Sequence, residues 1–136
     1  MRVLAFDLET DRLLSKTRDD HRELRITVGQ FCEIDGEGKE NVRWTEVVAP
    51  ADFGGPDISR MFDESDRIVA YNGRGFDLEV MRGYFADDVV DGWCRKLRDP
   101  FEAIRDATGS WSARLDRLDR DPAERGQVLE RVRHLA

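Results

Sequence analysis

The chain opens with an apolar run that ends in two carboxylates one residue apart, Arg-Val-Leu-Ala-Phe-Asp-Leu-Glu-Thr over residues 2–10. The successive apolar residues predict a strand that is buried on both faces. Because side chains alternate across a strand, Asp7 and Glu9 share one face at its carboxyl end, where open α/β sheets carry their ligands. The Asp-x-Glu pattern recurs twice further along, but only this copy follows such a strand. Asp7 and Glu9 are therefore the first candidates for a metal-binding pair.

Length, composition and charge limit the classes of protein that the chain can belong to. Its 136 residues, 40% of them hydrophobic, are enough for one core, so we expect a single domain over residues 1–136. The formal net charge of -7 disfavours a general electrostatic grip on phosphates, although a metal-loaded acidic site with a basic rim still admits nucleic acid. With neither a leader nor a long apolar segment, a cytoplasmic protein without membrane contact is expected.

The two cysteines argue against a zinc site. Cys32 and Cys94 lie far apart, without Cys-x-x-Cys spacing and without nearby histidine ligands. Free, partly buried thiols are therefore expected.

Strand patterns continue after the first strand. A charged segment over residues 11–24 indicates a loop, whose cations either meet a phosphate chain or lie in solvent. Apolar residues over 26–34, an Asp-Gly-Glu-Gly turn and the segment 42–48 then predict two further strands. The chain thus opens with three consecutive strands, which we expect to be antiparallel neighbours.

The second half of the chain has mainly helical spacing. A short strand over 67–72 leads into a glycine-bearing turn and a helix, which predicts a parallel partner for the first strand. Another short strand is predicted over 93–98. Helices are predicted over four segments, residues 57–65, 76–85, 101–108 and 123–135.

A third carboxylate follows the turn Tyr-Asn-Gly-Arg-Gly-Phe over residues 71–76. Asp77 lies near the start of a predicted helix, whose dipole stabilises a carboxylate by about 0.3 to 1 kcal/mol. This effect alone can account for an acid at this position, without any ligand. Adjacent parallel strands would, however, bring Asp77 to the same sheet edge as Asp7 and Glu9. Hard oxygen ligands of this kind suit Mg²⁺ or Mn²⁺. Two such ions about 4 Å apart activate a water and stabilise the leaving oxygen of a phosphodiester.

On these residues the chain resembles the ribonuclease-H-like 3′-5′ exonucleases of the DEDD superfamily, which include the DNA-polymerase proofreading type. Residues 6–10 match the first motif of the family and residues 72–77 match the second. The resemblance extends over roughly residues 1–118. It implies an α/β fold with a mixed five-stranded sheet, three antiparallel strands first and parallel strands after, flanked by helices.

The resemblance also implies a function. Asp7, Glu9 and Asp77 would bind two Mg²⁺ or Mn²⁺ ions and catalyse hydrolysis of single-stranded DNA or RNA from its 3′ end. Three further residues of the motifs would contact the substrate: Thr10, Asn72 and Phe76. A polymerase or a second copy of the chain are partners that such a domain can have, and the sequence does not choose between them.

The third motif of the family has no match in the chain. It consists of a His or Tyr followed four or five residues later by an Asp, and it supplies a general base and the last metal ligand. His134 lies two residues from the end, and Tyr84 precedes Asp87 and Asp88 at the wrong place in the fold. We therefore expect a C-terminally truncated copy of the fold with weak or no nuclease activity. The alternative is a degenerate, non-catalytic domain that binds nucleic acid or a protein partner.

Aromatic residues and one histidine offer weaker candidates. Trp44, Trp93 and Trp111 could stack on bases, but packing at the core or its edge is the interpretation that we favour for the first two. His21 is disfavoured as a catalytic base because it lies in a predicted loop with nothing to orient it.

Overall fold

The computed structural model describes residues 1–14, 17, 20–36, 41–48 and 53–108. Two compact units divide the chain, Met1–Arg98 and Asp99–Ala136. In order, the elements are β1 (Arg2–Thr10), a 3₁₀ turn (His21–Glu23), β2 (Ile26–Asp35), β3 (Val42–Val48), α1 (Pro56–Glu64), β4 (Arg67–Val69), α2 (Asp77–Met81), α3 (Asp87–Lys96), β5 (Leu97–Arg98) and α4 (Pro100–Thr108). The first unit holds every element except α4.

The five strands form one sheet in the order β3-β2-β1-β4-β5. β1 and β2 are antiparallel, as are β2 and β3, whereas β4 runs parallel to β1 and β5 parallel to β4. This α/β arrangement, with three antiparallel strands first and parallel strands after, confirms the mixed five-stranded sheet predicted from the sequence. Because β1 lies in the middle of the sheet, it has a neighbouring strand on each side.

Side chains on one face of the sheet form the core with the helices. From β1, Leu4, Phe6 and Leu8 are buried on this face. Phe62 of α1 lies edge-on to Phe6, with ring centroids 4.9 Å apart, and stacks on Trp93 of α3 at 4.5 Å. Aromatic pairs of this kind contribute about 0.5 to 1.5 kcal/mol beyond the area that they bury. Phe62 therefore connects the sheet to two helices.

The helix predicted over 76–85 ends early, at Met81. Gly83 follows in a turn where a Cβ would lie 2.8 Å from the backbone oxygen of Arg22, so a side chain does not fit. The hydroxyl oxygen of the next residue, Tyr84, accepts a 2.8 Å hydrogen bond from the backbone N–H of Ile26. The chain leaves the helix here because it packs against the segment that enters β2.

Two other predictions need correction. The strand predicted over 93–98 is wrong for most of its length, since Asp87–Lys96 form α3 and only Leu97–Arg98 are extended. Acidic residues in the first turn of α3 and basic residues in the last turn suit the helix dipole and explain the helix. The strand predicted over 67–72 also ends at Val69, where the turn begins.

The tryptophan predictions have different outcomes. Packing of Trp93 is confirmed, with 1% of the residue exposed. Packing of Trp44 is wrong, because 74% of that residue is exposed on the edge strand β3. Trp111 and the helix predicted over 123–135 lie outside the described residues.

Both cysteines are free, as predicted. Cys32 is buried and Cys94 is half-buried, and burial raises the pKa of both thiols. Across the described part of the chain, no helix is long and apolar enough to cross a membrane.

Alanine at two glycines should have opposite effects on stability. Gly83→Ala should lower the free energy of unfolding by about 1 to 3 kcal/mol, because its Cβ would overlap backbone atoms that cannot move independently. Gly92→Ala, in α3, should raise it by about 0.5 to 1 kcal/mol, because alanine favours a helix interior and its Cβ meets only the far end of Arg95. Urea unfolding of both variants tests this pair. Equal effects would contradict the packing described for Gly83.

Candidate carboxylate site

The candidate site lies where β1 extends beyond its parallel neighbour. Pairing between β1 and β4 ends at Ala5 and Val69, so the second half of β1 has no β4 residue beside it. The backbone N–H of Leu8 instead donates a buried 3.2 Å hydrogen bond to Oδ1 of Asp77. A buried amide left without a partner costs about 1 to 3 kcal/mol, so this bond is a structural requirement of the strand end. It also places the third predicted carboxylate beside β1.

The turn between β4 and α2 determines where Asp77 lies. Asn72 has a φ of 56°, in the left-handed region that asparagine tolerates better than most residues. Its backbone oxygen accepts from the N–H of Phe76 at 2.9 Å. A Cβ on Gly73 would lie 2.5 Å from that of Ala70, so the turn closes only around glycine. Asp77 is then the first residue of α2, which agrees with its predicted position near the start of a helix.

The other two carboxylates lie on the strand itself. Asp7 pairs with Gln30 and Glu9 with Val28 across the β1–β2 ladder, and both acids are exposed on the face opposite the core. Asp77, in contrast, is only 3% exposed. Among the residues that the structure describes, no group of three or more His, Cys, Asp or Glu side chains is arranged to hold a metal ion. The structure thus brings the three acids to one strand end without gathering them into one ligand cluster.

The three predicted substrate-contacting residues lie around the same strand end and turn. The hydroxyl of Thr10 donates to the backbone oxygen of Arg12 at 3.1 Å, which closes the turn after β1. Asn72 forms the turn described above, and Phe76 is half-buried at the edge of the core. Contact of these residues with a substrate stays a prediction.

His21 has a more defined position than the sequence suggested. It belongs to the 3₁₀ turn that Asp20 caps by accepting from the N–H of Arg22. Its ring meets that of Phe76 edge-on, with centroids 5.8 Å apart. The residue that precedes Asp77 therefore also orients His21.

Arg82 is the supporting residue that sequence reasoning missed. Its half-buried guanidinium donates to Glu79 at 3.0 Å and to Asp91 at 2.8 Å, and it also reaches Asp87. The hydrogen bonds to Asp91 and then to Glu79 raise its pKa above the ordinary value. This network attaches the short helix α2, which carries Asp77, to α3. Its only sequence signal is the i,i+3 spacing of Glu79 and Arg82.

Comparisons with known proteins give one loose likeness. No protein-family model matches the chain, and no curated protein matches it either. Among solved structures, the chain is similar to the family B DNA polymerase from the hyperthermophilic archaeon Pyrobaculum calidifontis, with a TM-score of 0.49 and 20% identity. The match covers 97% of this chain and 22% of that polymerase chain. At this level the likeness assigns neither a family nor a function.

The conformation of Asn72 yields a stability prediction. Asn72→Ala should lower the free energy of unfolding by about 1 to 2 kcal/mol, because alanine resists the left-handed region. Asn72→Gly should lower it less, because glycine adopts that region without strain. Urea unfolding compares the two variants. A glycine variant that is less stable than the alanine variant would contradict a backbone role for Asn72.

Proposed function

We propose that this chain is an exonuclease-type domain that binds Mg²⁺ or Mn²⁺ at Asp7, Glu9 and Asp77 and engages the 3′ end of single-stranded DNA or RNA. The observation that carries the proposal is the hydrogen bond from the Leu8 amide to Asp77. This bond holds a carboxylate from α2 against the strand segment between Asp7 and Glu9. Both sequence motifs thereby meet at one place in the fold.

The chemistry of the donor set supports a divalent ion. Three carboxylates are hard oxygen ligands of the kind that Mg²⁺ and Mn²⁺ prefer. Asp7 and Glu9 are exposed, which suits an ion that keeps several of its waters.

The proposed reaction is hydrolysis of the terminal phosphodiester. Bound divalent ions would activate the attacking water and stabilise the leaving oxygen. Asp7 and Glu9 would concentrate negative charge at the strand end, and the Leu8 amide would keep Asp77 in place. A positioned general base contributes about 10² to 10⁴ in rate, and neither motif contains a His or Tyr for this role. We therefore propose that hydrolysis is weak or absent.

A second function is binding of nucleic acid or of a protein partner without hydrolysis. It needs no metal site, and among the described residues no group of three or more His, Cys, Asp or Glu side chains is arranged to hold a metal ion. In this case the role of Asp77 would be structural, and it would include satisfying the Leu8 amide.

Metal binding should appear as thermal stabilisation. Millimolar Mn²⁺ at constant ionic strength should raise the Tm of the parent, because a ligand that binds only the folded state stabilises it by about 2.7 kcal/mol at a hundred times its Kd. An Asp7→Asn/Asp77→Asn double variant should show no shift. The controls are Asn72→Gly and an Asp57→Asn/Asp88→Asn double variant, which removes the same charge from exposed sites elsewhere. A parent without a shift, or a site variant that keeps it, would overturn the metal site.

Nuclease activity should be very low or undetectable. A single strand labelled at its 5′ end is incubated with the parent and Mn²⁺, and the products are resolved at single-nucleotide length. The expected result is an intact strand or slight shortening at high enzyme concentration, because neither motif supplies a general base. Asp7→Ala controls for contaminating nucleases. Rapid stepwise shortening that Asp7→Ala abolishes would show that another residue replaces the base, and His21 would be the first to test.

A further inference from the structure

An exposed tryptophan lies on the same face of the sheet as the carboxylate pair. Cys32 pairs with Ala5 of β1 on one side and with Trp44 of β3 on the other. Paired residues share a face, and residues two apart along a strand do so as well. Trp44 and Asp7 therefore project from one face, with two strand spacings, about 10 Å, between β1 and β3.

Trp44 is exposed together with a second apolar residue on this face. Trp44 is 74% exposed and Val48, two positions after Glu46, is 63% exposed. Val48 pairs with Val28, which in turn pairs with Glu9. Two of the five exposed large apolar residues in the described part of the chain thus lie in register with the carboxylate strand. Single exposed apolar residues are ordinary, but their position in line with the candidate site is specific to this sheet.

The charges between Trp44 and the carboxylates restrict what can bind there. Gln30 and Glu46 lie between them, with the Gln30 amide donating to Glu46 at 3.1 Å. This surface has no basic residue at the paired positions of its centre, and the whole chain carries a formal net charge of -7. Electrostatic attraction between this surface and phosphate groups would therefore be weak. A base can nevertheless stack on an indole without help from a basic surface, because every base has a π face.

We propose that Trp44 is a stacking platform for a base of a single-stranded nucleic acid whose 3′-terminal phosphodiester lies at Asp7 and Glu9. This inference rests on the proposed function and deepens it, since it names the residue that holds the strand beyond the terminal phosphodiester. A nucleic acid is the occupant because Trp44 and the carboxylates share one face of the sheet, close enough for one short single strand to reach both. Binding through stacking is tolerant of base identity.

Fluorescence anisotropy with a 5′-fluorescein oligothymidylate of about ten nucleotides, a length within the usual range of single-strand sites, tests the inference. Binding is measured in Mn²⁺, and a gel confirms that the strand stays intact. Trp44→Ala should weaken binding about 5- to 150-fold, the equivalent of one stacked base. Trp44→Phe should retain most of the affinity because it keeps an aromatic face. Val89→Ala, an exposed apolar residue of α3, is the matched control and should bind like the parent.

The outcomes separate this inference from the proposed function. If the parent shows the Mn²⁺ shift in Tm but binds the oligonucleotide no better than Trp44→Ala does, the stacking site is wrong and the metal site stands. If Mn²⁺ does not shift the Tm of the parent but oligonucleotide binding still depends on Trp44, the metal site alone is overturned. Equal losses of oligonucleotide affinity in Trp44→Phe and Trp44→Ala would overturn the stacking role of Trp44. Sedimentation of each variant without nucleic acid completes the test: a parent dimer that Trp44→Ala dissociates would assign this face to a second copy of the chain.

Discussion

The site depends on a hydrogen bond that compensates for a mismatch in strand length. β4 contributes three residues to the sheet and β1 contributes nine, so β1 runs on past its parallel neighbour. The amide of Leu8, in the unpaired part, would be buried without a partner if Asp77 did not accept from it. The turn at Asn72 and the short helix α2 together position this carboxylate beside Leu8. The hydrogen bond between Leu8 and Asp77 therefore satisfies the strand backbone and also brings the third acid to the strand end that carries the other two.

The two faces of β1 separate stability from chemistry. Leu4, Phe6 and Leu8 are buried with the aromatic core of α1 and α3, and this packing fixes the strand. Asp7 and Glu9 alternate with these residues and are exposed on the other face. Any change of register by one residue would exchange the two sets. The large apolar residues of β1 thus keep the acids at the surface, and a stable core is a condition for the proposed site.

Sequence reasoning succeeded where the signal is local. The bounds of β1 and β3 were predicted correctly because apolar alternation and turn residues delimit them, and Asp77 was placed at a helix start from the glycines before it. It failed for the strand predicted over residues 93–98, since a short amphipathic helix such as α3 and a buried strand have similar apolar content over so few residues. It also failed for Trp44, because the exposure of that residue depends on β3 being an edge strand, which is a property of the whole sheet. The Asp77–Leu8 bond joins distant segments and has no local signature, and the Arg82 network has only the i,i+3 spacing of Glu79 and Arg82.

The two functions proposed for the site assign different work to Asp77. As a structural residue it accepts from the Leu8 amide through one oxygen, a role that the carbonyl oxygen of an asparagine can also fill. As a metal ligand it needs its negative charge, because Mg²⁺ is bound in proteins mainly through carboxylates. Burying a charged carboxylate also costs more free energy than burying a neutral amide does. The charge of Asp77, rather than its position beside Leu8, therefore distinguishes the two functions.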